Sequence, residues 1–213
     1  GVHLTYSLAP AGTRPGDKIL NYTNAIVIDR PTLLSAQATM SELRYAEPMQ
    51  WWFEPHRAMG DSLRLGYEPS PWYTGGGLKA LVDGRLGSSN FRDGAWQAVQ
   101  GKDMEAVIDL GISTEIQEFE TRWFMYGNAW IFLPKSVEYF ISDDGNNCKS
   151  AGSVDCKIDE KKDGEFFEPL SLTRLNVKAR YVKMVALNHG TCPSWHDAPG
   201  EPSWLFCDEF IVR

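Results

Sequence analysis

The stretch Pro134-Lys135-Ser136-Val137-Glu138-Tyr139-Phe140-Ile141-Ser142-Asp143-Asp144-Gly145 decides the fold class. Val137, Tyr139 and Ile141 alternate with Glu138 and Phe140, the period-2 pattern of a strand with one face turned to a core. The run stops at Ser142-Asp143-Asp144-Gly145, which is turn chemistry. Outward from this segment the same grammar repeats. Residues 106–110 and 116–124 read as long apolar strands, 62–65 as a short one, and 180–187 and 206–212 as the strands that close the chain. Toward the start, Val2, Leu4, Tyr6 and Leu8 alternate, and residues 10–17 form a turn-rich loop. Residues 25–28, 33–38 and 49–53 read as further strands, and a second block begins near Arg57. No window keeps apolar residues at i, i+3, i+4 and i+7 over a helical length. Strands spaced by turns, without intervening helices, predict an all-β sandwich or jelly roll.

Composition narrows the class of partner. The chain has 213 residues, 43% hydrophobic and 23% charged, which is globular rather than disordered. No apolar run approaches the length of a membrane span. A net charge of -7, from 21 Lys+Arg against 28 Asp+Glu, argues against a nucleic-acid partner, which needs a basic face. Eight Trp in an acidic, Gly-rich chain suit a carbohydrate-binding β-protein. The start at Gly1 carries neither an initiator Met nor a visible signal peptide, so the chain reads as a fragment or processed product.

The four cysteines, at 148, 156, 192 and 207, form no C-x-x-C pair, which disfavours zinc ribbons and thioredoxin-like sites. Cys148 and Cys156 flank seven residues, a spacing open to a disulfide staple or to two free thiols in a surface insertion. Cys207, in Trp204-Leu205-Phe206-Cys207, reads as a buried thiol. The polar run 145–164 reads as that insertion. Asn21-Tyr22-Thr23 is a glycosylation sequon.

From Tyr73 onward the chain resembles the discoidin, or coagulation factor 5/8 type C, family, whose bacterial members include family 32 carbohydrate-binding modules. The carrying tracts are Ala80-Leu81-Val82-Asp83-Gly84, Trp96, Glu105-Ala106-Val107-Ile108-Asp109-Leu110-Gly111, the hairpin quoted above, Ala179-Arg180-Tyr181-Val182-Lys183, and Glu209. The whole chain also resembles the region after the barrel of bacterial chitobiases and β-hexosaminidases. That likeness runs through Gly1-Val2-His3-Leu4-Thr5-Tyr6-Ser7-Leu8, Leu33-Leu34-Ser35-Ala36, His56-Arg57-Ala58-Met59-Gly60, Tyr73-Thr74-Gly75-Gly76-Gly77 and the terminal His196 to Glu209 motif. Two departures stand out: Ala98 where a Gly is usual, and a longer loop at Cys148 and Cys156. The resemblance implies a small chitobiase-type β-domain over 1–56 and a galactose-binding-like jelly-roll β-sandwich over 57–213. It implies a non-catalytic part of an exported protein, periplasmic or at the cell surface, whose parent is a family 20 β-N-acetylhexosaminidase.

Three expectations about sites follow. Asp208-Glu209 is not a catalytic pair, because neighbours in a strand face opposite ways, and the (β/α)8 barrel such enzymes need has no room here. In the resembled modules a structural Ca²⁺ ties the Asp-Gly turn to the last strand. That would place Ala80, Asp83, Ser88 or Ser89, and Glu209 around one ion, as a hard cation taking six to eight oxygens requires. The competing reading has Asp83 capping its turn and Glu209 accepting backbone hydrogen bonds. Sugar would bind in loops at one end of the sandwich, through an aromatic face and a few polar groups. The expected residues are Phe91, Arg92, Tyr126, Asn128, Trp130, Asn188, His189, Trp195 and His196, with Trp130 open to a core role instead and His196 to pinning its own loop. The implied partners are glycans with terminal galactose or N-acetylhexosamine, and a catalytic domain of the same chain. A role only in bracing that domain is the rival. Protein or lipid-head binding is a third class, for which the basic loops are missing.

Overall fold

The computed structural model describes residues 1–13, 18–40, 43–44 and 47–213, with 43–44 described by backbone alone. Residues 14–17 of the expected turn-rich loop lie outside this set. The N-terminal strands are β1 (Val2–Pro10), β2 (Leu20–Asn21), β3 (Thr32–Met40), β4 (Leu43–Arg44) and β5 (Met49–Phe53). After them come β6 (Ser62–Leu65), β7 (Arg85–Leu86), β8 (Gln97–Gln100), β9 (Met104–Ile116) and β10 (Phe119–Tyr126). A 3-10 turn (Gly127–Ala129) follows, then β11 (Ser136–Ser142), β12 (Lys149–Asp155), β13 (Glu165–Leu172), β14 (Val177–Ala186) and β15 (Trp204–Val212). Among the described residues there is no α-helix, and no helix is long and apolar enough to cross a membrane.

Three sheets form. The first has the order β2-β1-β3-β5-β7, with β4 beside β3. The jelly roll is a four-stranded sheet, β13-β10-β15-β8, on a five-stranded one, β12-β11-β14-β9-β6. Its core lies between these two and includes Ile108, Phe119, Trp123, Tyr139, Met184 and Phe210. Strand β10 shows why. Trp123 and Met125 enter this core, while Phe124 and Tyr126 leave by the opposite face into a second cluster with Trp96, Ile131 and Phe206. Each such side chain buries apolar area worth roughly 2–3 kcal/mol. Ala98 sits in that second cluster, fully buried.

The first sheet is built differently. Among described residues up to Phe53 only Ala9 and Thr32 are buried. Its edge is completed by β7 from the jelly roll, through Trp52↔Leu86 and Phe53↔Arg85. Trp51 and Trp52 face opposite ways, as expected, and Trp52 is exposed.

Several expectations need correction. Residues 25–28 form no strand. The predicted strand 116–124 is two, because Gln117 and Glu118 turn to donate their N–H groups to the Arg213 carbonyl. The run 145–164 is not merely an insertion: β12 within it pairs with β11 as the sheet edge. That strand also explains the cysteines. Cys148 and Cys156 are both free. Seven strand residues between them, at ~3.3 Å each, hold them some 25 Å apart, well beyond the ~7 Å Cα limit of a disulfide. Cys207 is the buried thiol expected.

Candidate functional site

Strict alternation fails at the end of the chain. The β10–β15 register shifts between Arg122 and Trp123, so that Arg122 faces Glu209 and Trp123 faces Cys207. Asp208 is the extra, bulged residue. Asp208 and Glu209 therefore both turn to one loop rather than to opposite faces. Glu209 Oε2 accepts the Gly84 N–H at 3.1 Å, and Asp208 Oδ2 accepts the Gly87 N–H at 2.7 Å. Both carboxylates are buried, and Asp208 also pairs with Arg122.

These contacts test the expected calcium ligands. Glu209 Oε1 lies 2.8 Å from His56 Nε2. His56 Nδ1 accepts the N–H groups of Ala58 and Val212, so the ring proton sits on Nε2 and is donated to Glu209. Burial, with Arg213 nearby, lowers the His56 pKa to about 4 and keeps the ring neutral. Asp83 Oδ1 caps its own turn through the Arg85 N–H at 2.8 Å, and Oδ2 is 3.9 Å from Arg85 Nε. The Ser88 hydroxyl donates to Asp93, not toward Asp83. Of the expected set, Asp83 and Glu209 stay close enough for Asp83 to raise the Glu209 pKa, after burial itself. Both Glu209 oxygens face protein donors and Ser88 is engaged by Asp93, whereas Asp83 Oδ2 and the Ala80 carbonyl take no hydrogen bond among the described residues. Glu209 and Ser88 are thus taken up by protein groups, while Asp83 and Ala80 each keep an oxygen open. Among the described residues no three His, Cys, Asp or Glu side chains gather as a metal set.

The expected sugar residues divide between two places. Asn128, His189, Trp195 and His196 meet at the loop end of the jelly roll. The 3-10 turn leaves β10 through Tyr126 and returns through Trp130, whose left-handed backbone (φ 63°) closes it by donating N–H to the Gly127 carbonyl at 2.7 Å. The His196 Nδ1 accepts the Ala198 N–H at 3.0 Å, so Nε2 carries the proton and donates it to the Gly127 carbonyl at 3.0 Å. Trp195 donates its indole N–H to Glu160 Oε1 at 2.8 Å, and Glu160 Oε2 lies 3.7 Å from His189 Nδ1. Burial lowers the His189 pKa, helped by Lys135 and opposed by Glu160. Phe132 supports His189, Trp195 and His196 from below.

Two hollows share Glu160 as a wall. One of about 230 Å³ is lined by Phe132, Lys135 and His189 among others, and one of about 180 Å³ by Asn128, Trp195, His196 and Asp197. Trp195 is 39% exposed there. Asn188 stays out of the cleft. Its Nδ2 donates to the Lys102 and Ser203 carbonyls, and its Oδ1 accepts from Gly190 N–H and the Ser203 hydroxyl. Every bonding position is used, so it braces the loop. Trp130 leans half-buried on the main core.

Phe91 and Arg92 lie elsewhere, beside Tyr73 and the exposed Trp72, with Tyr126 reaching toward them at 6.3 Å between the Phe91 and Tyr126 rings. Reading the sequence missed Glu160, which sits in a polar run that gives no signal of a partner. It also missed Trp72, where the flanking Pro69-Ser70-Pro71 was a usable sign that this Trp belongs to a turn and not to a core.

The CpGH89CBM32-5 module from Clostridium perfringens, in complex with GalNAc-β-1,3-galactose, is similar at 20% identity over 70% of this chain and 92% of its own, with a TM-score of 0.44. A Streptococcus pneumoniae fucose binding module is similar at 15% identity over 74% and 94%, TM-score 0.47. Chitosan-binding module 1 of a chitosanase/glucanase from Paenibacillus sp. IK-5 is similar at 14% identity over 75% and 99%, TM-score 0.46. No curated protein sequence matches the chain. The sequence profile of the F5/8 type C domain matches residues 67–203, well over half of the chain, and the chain belongs to that family.

Proposed function

We propose that this chain is the non-catalytic, carbohydrate-binding part of an exported bacterial glycoside hydrolase, with a family 20 β-N-acetylhexosaminidase as parent. The ligand is a terminal galactose or N-acetylhexosamine, and the site is the loop-end cleft. The observation that carries this is Trp195. Its N–H is bonded to Glu160 and its ring packs against Phe132, so a held indole stands beside the carboxylate of Asp197 and the amide of Asn128, which makes no hydrogen bond among the described residues. An aromatic face for sugar C–H groups, with a few polar groups at its rim, is the chemistry of saccharide recognition. The cleft is shallow, so affinity should be near 1 mM, about 4 kcal/mol. Calorimetric titration with N-acetylgalactosamine, N-acetylglucosamine and galactose tests it. Trp195→Ala should abolish the heats while leaving the melting temperature nearly unchanged. Flat heats from the wild-type chain with all three sugars overturn the reading.

The bracing role is a second reading, supported by the first sheet. Directly paired residues share a face. The pairs Val2↔Met40, Leu4↔Ala38, Leu8↔Leu34, Ala36↔Met49 and Leu34↔Trp51 therefore build one continuous apolar surface. Val2, Leu4, Met40 and Met49 on it are exposed. A catalytic domain of the same protein is the proposed cover. The division at residues 56 and 57 belongs to this reading, with β7 as the strand shared across it. The clasp of the Asp-Gly turn onto the last strand is proposed to be cation-independent, with the His56 and Gly84 N–H groups on Glu209 in the part a calcium ion was expected to play.

A further inference from the structure

Glu160 is shared by two side chains of the loop-end cleft. One carboxylate oxygen, Oε1, accepts the Trp195 indole N–H at 2.8 Å. The other, Oε2, faces His189 Nδ1 at 3.7 Å, too far for a hydrogen bond. Both oxygens belong to one planar group, so whatever draws Oε2 also moves the acceptor of Trp195. The Glu160 side chain is 45% exposed, on the loop between β12 and β13, and that of His189 only 15%, so the carboxylate is the partner with room to shift. Apart from Glu160, the Trp195 ring meets only the edges of Phe132 and His196.

His189 is held against the Phe132 ring and by a backbone hydrogen bond to Leu133. The charged groups that face it are Lys135, from the segment leading into β11, and Asp159 and Glu160 from the β12–β13 loop, with the Cys156 thiol on the same wall. His196, on the Trp195 loop, lies across Phe132. Burial and Lys135 disfavour the imidazolium, Glu160 and Leu133 favour it, and the balance places its titration below the 6.5 of an ordinary imidazole. A neutral ring leaves Oε2 without an N–H in reach. A charged ring offers a charge-assisted contact whose best length is about 2.8 Å, which draws the carboxylate in and fixes a side chain otherwise free to turn.

We propose that Glu160 is a positioning residue of the loop-end cleft, setting the place of the Trp195 indole, and that proton binding at His189 locks it there. The part concerning ligand rests on the proposed sugar site. A locked Glu160 orders the indole before a sugar arrives, so less ordering remains to be done on binding. Neutral sugars should then bind more tightly as pH falls, and by reciprocity their binding should take up a proton.

The full chain, labelled with nitrogen-15, is followed by NMR from pH 7.5 to 4.5, and Trp195→Phe identifies the indole signal. The Trp195 indole N–H should move along one titration curve that matches the His189 ring. The movement should vanish in His189→Gln, which retains His196. Calorimetry with N-acetylgalactosamine, N-acetylglucosamine and galactose, in buffers of different ionisation enthalpy, gives the second readout. Affinity should be about threefold higher at pH 5 than at pH 7.5, a part of the ordering cost of one side chain. Proton uptake should accompany binding, and Glu160→Gln should remove the pH dependence. Flat heats at every pH overturn the sugar site, and the indole titration then decides the control of Trp195 by itself. The proposal is overturned if the His189 ring titrates without moving the indole, if the indole titrates equally in His189→Gln, or if a sugar that binds does so no more tightly at pH 5 than at pH 7.5.

Discussion

Replacing Arg122 by Met should expose how much of the jelly roll hangs on one buried pair. Asp208 is fully buried, with Oδ2 shared by Gly87 N–H and Arg122, and Oδ1 without a donor. Arg122 also donates to the Gly87 carbonyl at 3.2 Å and lies 4.0 Å over the Phe167 ring. Burial raises the Asp208 pKa to about 7, with Arg122 and the Gly87 N–H pulling the other way. An acid whose folded pKa exceeds its unfolded value of ~3.9 binds more protons folded than unfolded between the two. Stability therefore falls as pH rises through that window.

In Arg122→Met the opposing pull is gone and the carboxyl climbs further. Near pH 5 Asp208 is protonated with or without its partner. The cost is then confined to the lost hydrogen bonds and ring contact, about 1–2 kcal/mol. Near pH 8.5 the wild type holds a paired carboxylate, whereas the variant must bury an unpaired charge or retain a proton against the solution. The total should rise to about 3–5 kcal/mol. Urea denaturation followed by Trp fluorescence at the two pH values measures both. Adding Asp208→Asn should recover most of the alkaline loss, because the amide carries no charge. An equal penalty at both pH values, or a double variant no more stable than the single, would refute the reasoning.

Gly87→Ala should destabilise by about 1–3 kcal/mol or more in the same assay, since a Cβ there would lie 2.2 Å from Cε2 of the buried Trp96. A silent substitution would mean that this loop is not packed against Trp96. Thiol titration of unreduced, denatured protein should count four free cysteines, and reductant should not move the melting temperature; a count of two restores the staple. Chelator and saturating calcium should give the same melting temperature, a shift of several degrees between them being the contrary result. A chain starting at Glu54 should unfold cooperatively within a few degrees of the full protein, because the main core contains nothing before Ala58; a molten product would show that the first sheet is structurally required.

The jelly roll was legible because its strands are half-buried and alternate. Val137 and Tyr139 turned inward as the pattern demanded, and the same rule read β1, β3, β5, β6 and β14. It failed where alternation itself breaks. The bulge at Asp208 cannot be read from the sequence, since it arises from how β15 meets β10, and it reversed the expectation that Asp208 and Glu209 point apart. Edge strand β12 hid because Lys149 to Asp155 is polar and needs only one neighbour to supply its ladder. Of the expected sugar residues, Asn128, His189, Trp195 and His196 come together while Phe91 and Arg92 lie apart from them, and the role of each was not legible. Whether His196 or Asn188 can meet a ligand depends on bonds to Gly127, Lys102 and Ser203, which are remote in sequence.

The first sheet follows a different physical logic from the jelly roll beside it. A sheet gains stability by burying one face against a second layer, and among the described residues of this one only Ala9 and Thr32 are buried. Its support comes from its edge, where β5 pairs with β7, and from the joint that follows. There Glu54 N–H donates to the Gly84 carbonyl, Arg213 pairs with the Glu54 carboxylate, and His56 is fixed between Val212 and Glu209. These contacts fix its orientation but cover little apolar area. Evolution tolerates an apolar face of this kind where something regularly covers it, because contiguous exposed patches otherwise invite aggregation. The orientation is thus held by the jelly roll while the face of Val2, Leu4, Met40 and Met49 stays available. Under the proposed function, the loop end of the jelly roll carries the cleft for glycan and the first sheet carries the face for a further domain.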